Sequence, residues 1–211
     1  MQNKTLKLVE LFLLFICMPI SFAFSYPIWI KGLLGVFGFI YVIWILRTAE
    51  RFSLKISKNH DWKSFWKRTG IIFTIIAVLT SAYVYYVAPE KLFYVPLQKP
   101  LLYIFILFVY SFFSVWPQEI IYRIFFMNRY KELFRSESLL VFINAIVFSL
   151  AHIFFRNTLV TVLTFLGGLL FAISYLKFKS TTLICIEHAI YGSWLFTVGM
   201  GEMLAFPGVE G

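Results

Sequence analysis

Five ionisable side chains stand inside apolar stretches of the C-terminal half of this sequence: Glu119 and Arg123 in "PQEIIYR", His152 in "FSLAH", and Glu187 with His188 in "CIEHAIYG". A charge at membrane depth is costly, so each such residue is a functional-site hypothesis by default. Glu119 and Arg123 are four residues apart and share one helix face. Two readings of them stand. They are a buried ion pair that satisfies only itself, or Arg123 holds Glu119 ionised and oriented so that one carboxylate oxygen acts as a base. His152 closes an apolar helix, either as a helix-end residue bonded to a carbonyl or as a second proton-handling group. Glu187 and His188 are about 100° apart around their helix, and lipid is a poor neighbour for both, so both are expected to point into a bundle.

One carboxylate and two histidines in a wet membrane cavity suit peptide hydrolysis. A glutamate base activates water, and histidines polarise a carbonyl and stabilise its oxyanion. A zinc site of two His and a Glu is also chemically possible. Its ligands would come from three helices without the HExxH spacing, so no cofactor and no tightly bound metal are expected.

The elements that carry these residues follow from composition. Of 211 residues, 61% are hydrophobic, 26 are Phe and only 14% are charged, where a soluble domain has about 25% charged. That much apolar surface calls for a bilayer, and the expected fold is an all-α polytopic transmembrane bundle of about seven to eight helices. Candidate spans are 8–25, 32–46, 70–88, 101–117, 139–155, 158–176 and 181–200, the second of them short. Segment 118–134 reads as a continuation of the fourth span past Pro117, where a proline starts or kinks a helix. The apolar N-terminus reads as a retained first helix and not as a cleaved signal. The first three spans hold almost no ionisable residues, Glu10 sitting at an end. Residues 1–96 therefore read as a scaffold with a basic loop at 47–69, and 97–211 as the catalytic core of a single membrane domain.

The net charge of +9 comes from Lys and Arg clustered between spans, which excludes nucleic acid as the natural partner and places those clusters in the cytoplasm. Lys4 and Lys7, the 47–69 loop, Arg129–Arg135 and Lys177–Lys179 alternate consistently with a cytoplasmic N-terminus; His60 is a solvated loop residue. Counted inward from those loops at helical rise, Glu119 lies about 15 Å deep, His152 about 21 Å and His188 about 14 Å, a common depth on the cytoplasmic side. The expected partners are the bilayer and a membrane-associated peptide or protein, in a prokaryotic cytoplasmic membrane, with the cavity open to the cytoplasm. Cys17 and Cys185 lie inside apolar spans, so neither a disulfide framework nor a cysteine metal site is expected. Gly167 and Gly168 read as close-packing positions, and the aromatic runs as lipid-facing bulk.

Taken in order, "QEIIYR", "FSLAH" and "HAIYG" resemble the three motifs of the CPBP intramembrane proteases, the CAAX prenyl endopeptidase and bacteriocin-processing group, whose pattern is EExxxR, FxxxH and HxxxN on successive membrane helices. The resemblance covers roughly residues 100–200. It implies a glutamate-dependent protease in which Glu119 is the second glutamate, Arg123 the arginine, Phe148 and His152 the second motif, and His188 the histidine that stabilises the oxyanion. Two positions depart. Gln118 stands where the first glutamate belongs, and an amide takes no proton at neutral pH. Gly192 stands where the third motif has its Asn. Three accounts are open: Glu119 serves as the base with Gln118 donating a hydrogen bond, Glu187 supplies the missing carboxylate, or the chain is an inactive relative that binds a peptide as an immunity or regulatory partner. A transporter using buried Glu and His as proton relays is a weaker alternative, because no inverted repeat is visible.

Overall fold

The computed structural model describes residues 4–50 and 61–201. Arg51, Lys55, Lys58 and His60 of the basic loop lie outside the described residues. Among the described residues the chain is helical with no strand. The helices are α1 (Lys4–Phe22), α2 (Ile28–Thr48), α3 (Trp62–Val87), α4 (Tyr94–Gln98), α5 (Pro100–Arg129), α6 (Glu137–Leu150), α7 (Thr158–Phe178) and α8 (Thr181–Val198). A short 3-10 turn, Ile153–Phe155, follows α6.

Local signals account for four of the helix starts. Asp61, Ser136 and Ser180 each accept a hydrogen bond from the backbone N–H three residues on, at 3.0, 3.2 and 3.4 Å, which satisfies one of the donors a helix leaves open at its N-terminus. Pro100 occupies the first turn of α5, where a missing N–H costs nothing.

Six helices among the described residues are long and apolar enough to cross a membrane: α1, α2, α3, α5, α6 with its 3-10 extension, and α7. The chain is an integral membrane protein with a helical transmembrane fold. Segment 118–134 continues the fourth span, as read in the sequence: α5 is one 30-residue helix through Pro117. Two details differ. The second span extends beyond 32–46 at both ends, and α2 runs for 21 residues. The last span forms α8, 18 residues long, but it falls outside the apolar set, since Glu187, His188 and its hydroxyl-bearing residues dilute it.

The passage through Pro117 has a local cause. Proline donates no N–H to the carbonyl four residues back, which loosens the preceding turn. In α5 the residues before it, Tyr110–Val115, are π-helical, and so are Ile120–Phe125 after it. Single π turns inside α-helices frequently mark functional sites, and Glu119 sits in the α-helical step between the two.

Two compact units are present: one gathers the described residues of Met1–Lys55 with Gln118–Leu176, the other those of Ile56–Pro117 with Lys177–Gly211. In the first, Phe15 of α1 is wholly buried among Tyr122, Phe125, Phe126 and Tyr130, with ring centroids 5.1–6.3 Å away. α6 and α7 approach so closely that a Cβ at Gly168 would lie 2.8 Å from the Ala145 Cα, as close-packed membrane helices require of a small residue. Arg129, read in the sequence as part of a basic cytoplasmic cluster, is buried at 1% exposure. Its guanidinium donates to both oxygens of Glu10 at 2.9 and 2.8 Å and to Glu50 at 3.0 Å. Tyr41 and Tyr130 also donate to Glu10, and burial together with that carboxylate raises the Tyr130 phenol far above its usual range. The cost of burying these charges is met by a full set of partners.

In the second unit α3 packs on α8. The Trp194 indole donates to the Thr80 hydroxyl at 2.9 Å, and Phe65 meets Phe178 edge-on at 5.7 Å. Ser64, Lys67, Arg68 and Lys177 line one recess. Two of the basic clusters thus meet at one end of this unit. Much of the aromatic bulk points outward in both units: Trp29, Phe37 and Trp44 on α2, and Phe105, Phe108 and Phe113 on α5 are exposed.

Candidate active site

Glu119 and Arg123 are both completely buried, and the Arg123 Nε lies 3.3 Å from Glu119 Oε2. The pair does not stop at itself. Arg123 also donates from Nη1 to the Asn144 side-chain oxygen at 2.8 Å. Asn144 in turn donates from its amide nitrogen to the Tyr122 carbonyl at 2.7 Å. The guanidinium lies over two rings, 4.8 Å from the centre of Phe148 and 5.7 Å from that of Phe171. Its plane is therefore fixed by a carboxylate, an amide and two aromatic faces, a setting suited to arginine and poorly suited to lysine. Gln118 is half-buried.

His152 belongs to the same unit. Its Nδ1 lies 2.8 Å from the Phe148 carbonyl, which can only accept. Nδ1 therefore carries the proton, and in the neutral ring Nε2 is the acceptor nitrogen. The helix-end carbonyl bond read as one possibility in the sequence is present, and its effect is to set the tautomer a general base needs. The imidazole packs between Phe148, with centroids 5.0 Å apart, and Phe155 at 6.1 Å. Asn144 and Phe148 are one turn apart on α6, and His152 stands in the turn just past its last residue, Leu150. Phe148 links the two sides, its ring under Arg123 and its carbonyl on His152.

His188 and Glu187 belong to the other unit, where they serve different faces of α8. Glu187 is completely buried and turns to α3. Its Oε1 accepts from Arg68 Nη1 at 2.5 Å, and the Tyr191 hydroxyl lies 3.1 Å away. That hydroxyl is also 3.3 Å from the Thr69 carbonyl. His188, buried at 6% exposure, faces Tyr110 of α5, with ring centroids 6.1 Å apart and the planes nearly perpendicular. Gly192, one turn on, lies against the same Tyr110. A Cβ at 192 would overlap the tyrosine hydroxyl and ring edge. An asparagine at 192 would collide with Tyr110 as it stands.

Sequence reasoning missed three participants. Asn144 was recoverable as a lone amide in an apolar span, one turn before Phe148. Arg68 was counted as one more loop cation, and its partner lies 119 residues away. Tyr110 is one of 12 tyrosines, and only its contact with Gly192 sets it apart. Within either unit, the described residues hold no group of three His, Cys, Asp or Glu side chains arranged to bind a metal.

Residues 100–194 match the family model of the Rce1-like proteins, type II CAAX prenyl endopeptidases. Neither a curated protein nor a solved structure matches the chain significantly. The matched stretch includes every polar residue singled out above within the C-terminal motifs, and it agrees with the CPBP resemblance those motifs carry. Over residues 100–194 the chain is similar to the Rce1-like type II CAAX prenyl endopeptidases, a likeness consistent with the CPBP family.

Proposed function

We propose that this protein is an intramembrane endopeptidase that hydrolyses a peptide bond of a membrane-associated, lipidated or anchored protein. The observation that carries the reading is the shared hold on Arg123. Because Asn144, Phe148 and Phe171 fix the guanidinium, Arg123 holds the Glu119 side chain in one orientation. Glu119 takes a proton from water, assisted by the acceptor nitrogen of His152. The water oxygen bonds to the scissile carbonyl carbon, and the carbonyl π electrons move to oxygen. His188 donates a hydrogen bond to that oxyanion. The tetrahedral intermediate collapses with cleavage of the C–N bond, and Glu119 returns the proton to the departing amine. Gln118 donates a hydrogen bond to the substrate. No cofactor or metal takes part.

A cytoplasmic N-terminus is supported by the basic ends: Lys7 lies 3.5 Å from Glu132 in one unit, and Lys67, Arg68 and Lys177 share a recess in the other. Gln118 and Gly192 favour a second reading, an inactive relative that binds a peptide as an immunity or regulatory partner. The two are separated by complementing a deletion strain with wild type, His152→Ala and His188→Ala and reading membrane-protein termini by mass spectrometry. The protease reading expects new termini with wild type and their loss in both variants. Identical termini in all strains would leave the binding reading.

A further inference from the structure

We infer that Tyr110 supplies, beside His188, the second hydrogen bond to the oxyanion, in the space that a side chain at position 192 would otherwise fill. The inference rests on the endopeptidase reading above.

An oxyanion held in a water-poor site needs preorganised donors aimed at it, and one donor is seldom the whole set. On α8 the positions available to join His188 are those one turn away on its own face. Position 192 is such a position, and glycine has no side chain to offer. The space over Gly192 is not empty. The Tyr110 hydroxyl lies where a Cβ of residue 192 would begin, one helical turn from His188. A phenol O–H is a good donor, and the ring that carries it is immobilised. It meets His188 edge-on at 6.1 Å and Phe196 at 5.1 Å. Residues 188, 192 and 196 are spaced i, i+4, i+8 along α8, so one helix face forms the cradle for this tyrosine. Tyr110 also opens the π-helical turns that precede Pro117. A wider turn shifts the angular position of a side chain relative to a regular helix, a feature that recurs at functional sites. All three residues belong to one compact unit. In the reaction the hydroxyl keeps its proton. It donates to the oxygen that gains the carbonyl electron pair and releases it when the C–N bond breaks.

The swap has a structural corollary. Glycine at 192 and tyrosine at 110 are one choice, because the larger residue at 192 and the phenol exclude each other.

The experiment follows the rate at which wild-type-dependent membrane-protein termini appear after induction, with the melting temperature of each purified variant measured in detergent. Tyr110→Phe keeps the ring contacts with His188 and Phe196 and removes only the donor. It should slow cleavage by about 10²–10³-fold, the usual loss for one oxyanion donor, at unchanged melting temperature. Tyr110→Ala/Gly192→Asn replaces the phenol by an amide and should regain much of what Tyr110→Ala loses. Tyr110→Ala/Gly192→Leu fills the same volume without a donor and should not. Wild-type rate in Tyr110→Phe, or equal rescue by Asn and Leu, overturns the role of Tyr110 while leaving the protease reading intact. Absence of any wild-type-dependent termini overturns both.

Discussion

Arg123 donates to Asn144 across 21 residues of chain, at 2.8 Å and with both side chains fully buried. Asn144 spends its other end on the Tyr122 carbonyl, so the amide bridges a charged side chain to the backbone one residue before it. Replacing Asn144 by Leu leaves a buried guanidinium N–H and a buried carbonyl without these bonds. Each is expected to cost about 1–3 kcal/mol. The melting temperature of Asn144→Leu in detergent should fall well below wild type, and cleavage should fall further than stability explains, because Arg123 no longer holds its angle to Glu119.

Arg123 itself should be the least replaceable residue of this group. Removing one partner of a buried pair costs about 3–5 kcal/mol, and Arg123→Ala also loses the contacts with Phe148 and Phe171. Arg123→Lys restores the charge but neither the fork nor the stacking. Reversible unfolding in mixed micelles should rank wild type above Arg123→Lys and Arg123→Lys above Arg123→Ala, with both variants inactive.

Glu187 gives a contrasting case. Its bond to Arg68 ties α8 to α3, and the Arg68 end is partly exposed at 18%, which screens the pair. A double-mutant cycle of Arg68→Ala and Glu187→Gln should therefore give a coupling of about 1–2 kcal/mol in stability. Cleavage per folded molecule should change little in Glu187→Gln. An activity loss as deep as that of a Glu119 variant would instead make Glu187 the replacement for the carboxylate that Gln118 lacks.

Glycine substitutions should separate packing from propensity. Gly168→Ala places a Cβ against the backbone of Ala145 and should destabilise by about 1–3 kcal/mol, the range for overpacking. Gly32 and Gly35 of α2 have open space around the same built atom, so Gly→Ala there should be neutral or stabilise by up to about 1 kcal/mol. Thermal melting of the three variants checks both signs.

The membrane helices were legible because apolar runs of bilayer length have few other uses, and the Glu119–Arg123 pair was legible because i, i+4 spacing is local. α5 shows the limit. The sequence marks Pro117, but the π turns on either side depend on how the freed carbonyl relaxes. Arg129 looks like any loop arginine until Glu10 and Glu50, far away in the chain, are brought to it. Arg68 with Glu187, and Tyr110 with Gly192, are likewise pairs whose chemistry is invisible until helices pack. Departures from the motifs at Gln118 and Gly192 could be seen in the sequence; that a tyrosine occupies the space at 192 could not.

The central claim is that Glu119 is the base, and Glu119→Gln tests it most directly. The amide keeps the size of the side chain, and Arg123 retains Asn144 and both rings. Complementation with wild type, Glu119→Gln and Gln118→Glu, with expression and melting temperature matched, is read out as membrane-protein termini by mass spectrometry. The account predicts that termini present with wild type vanish in Glu119→Gln and persist in Gln118→Glu. The same termini at the same rate in wild type and Glu119→Gln would contradict it.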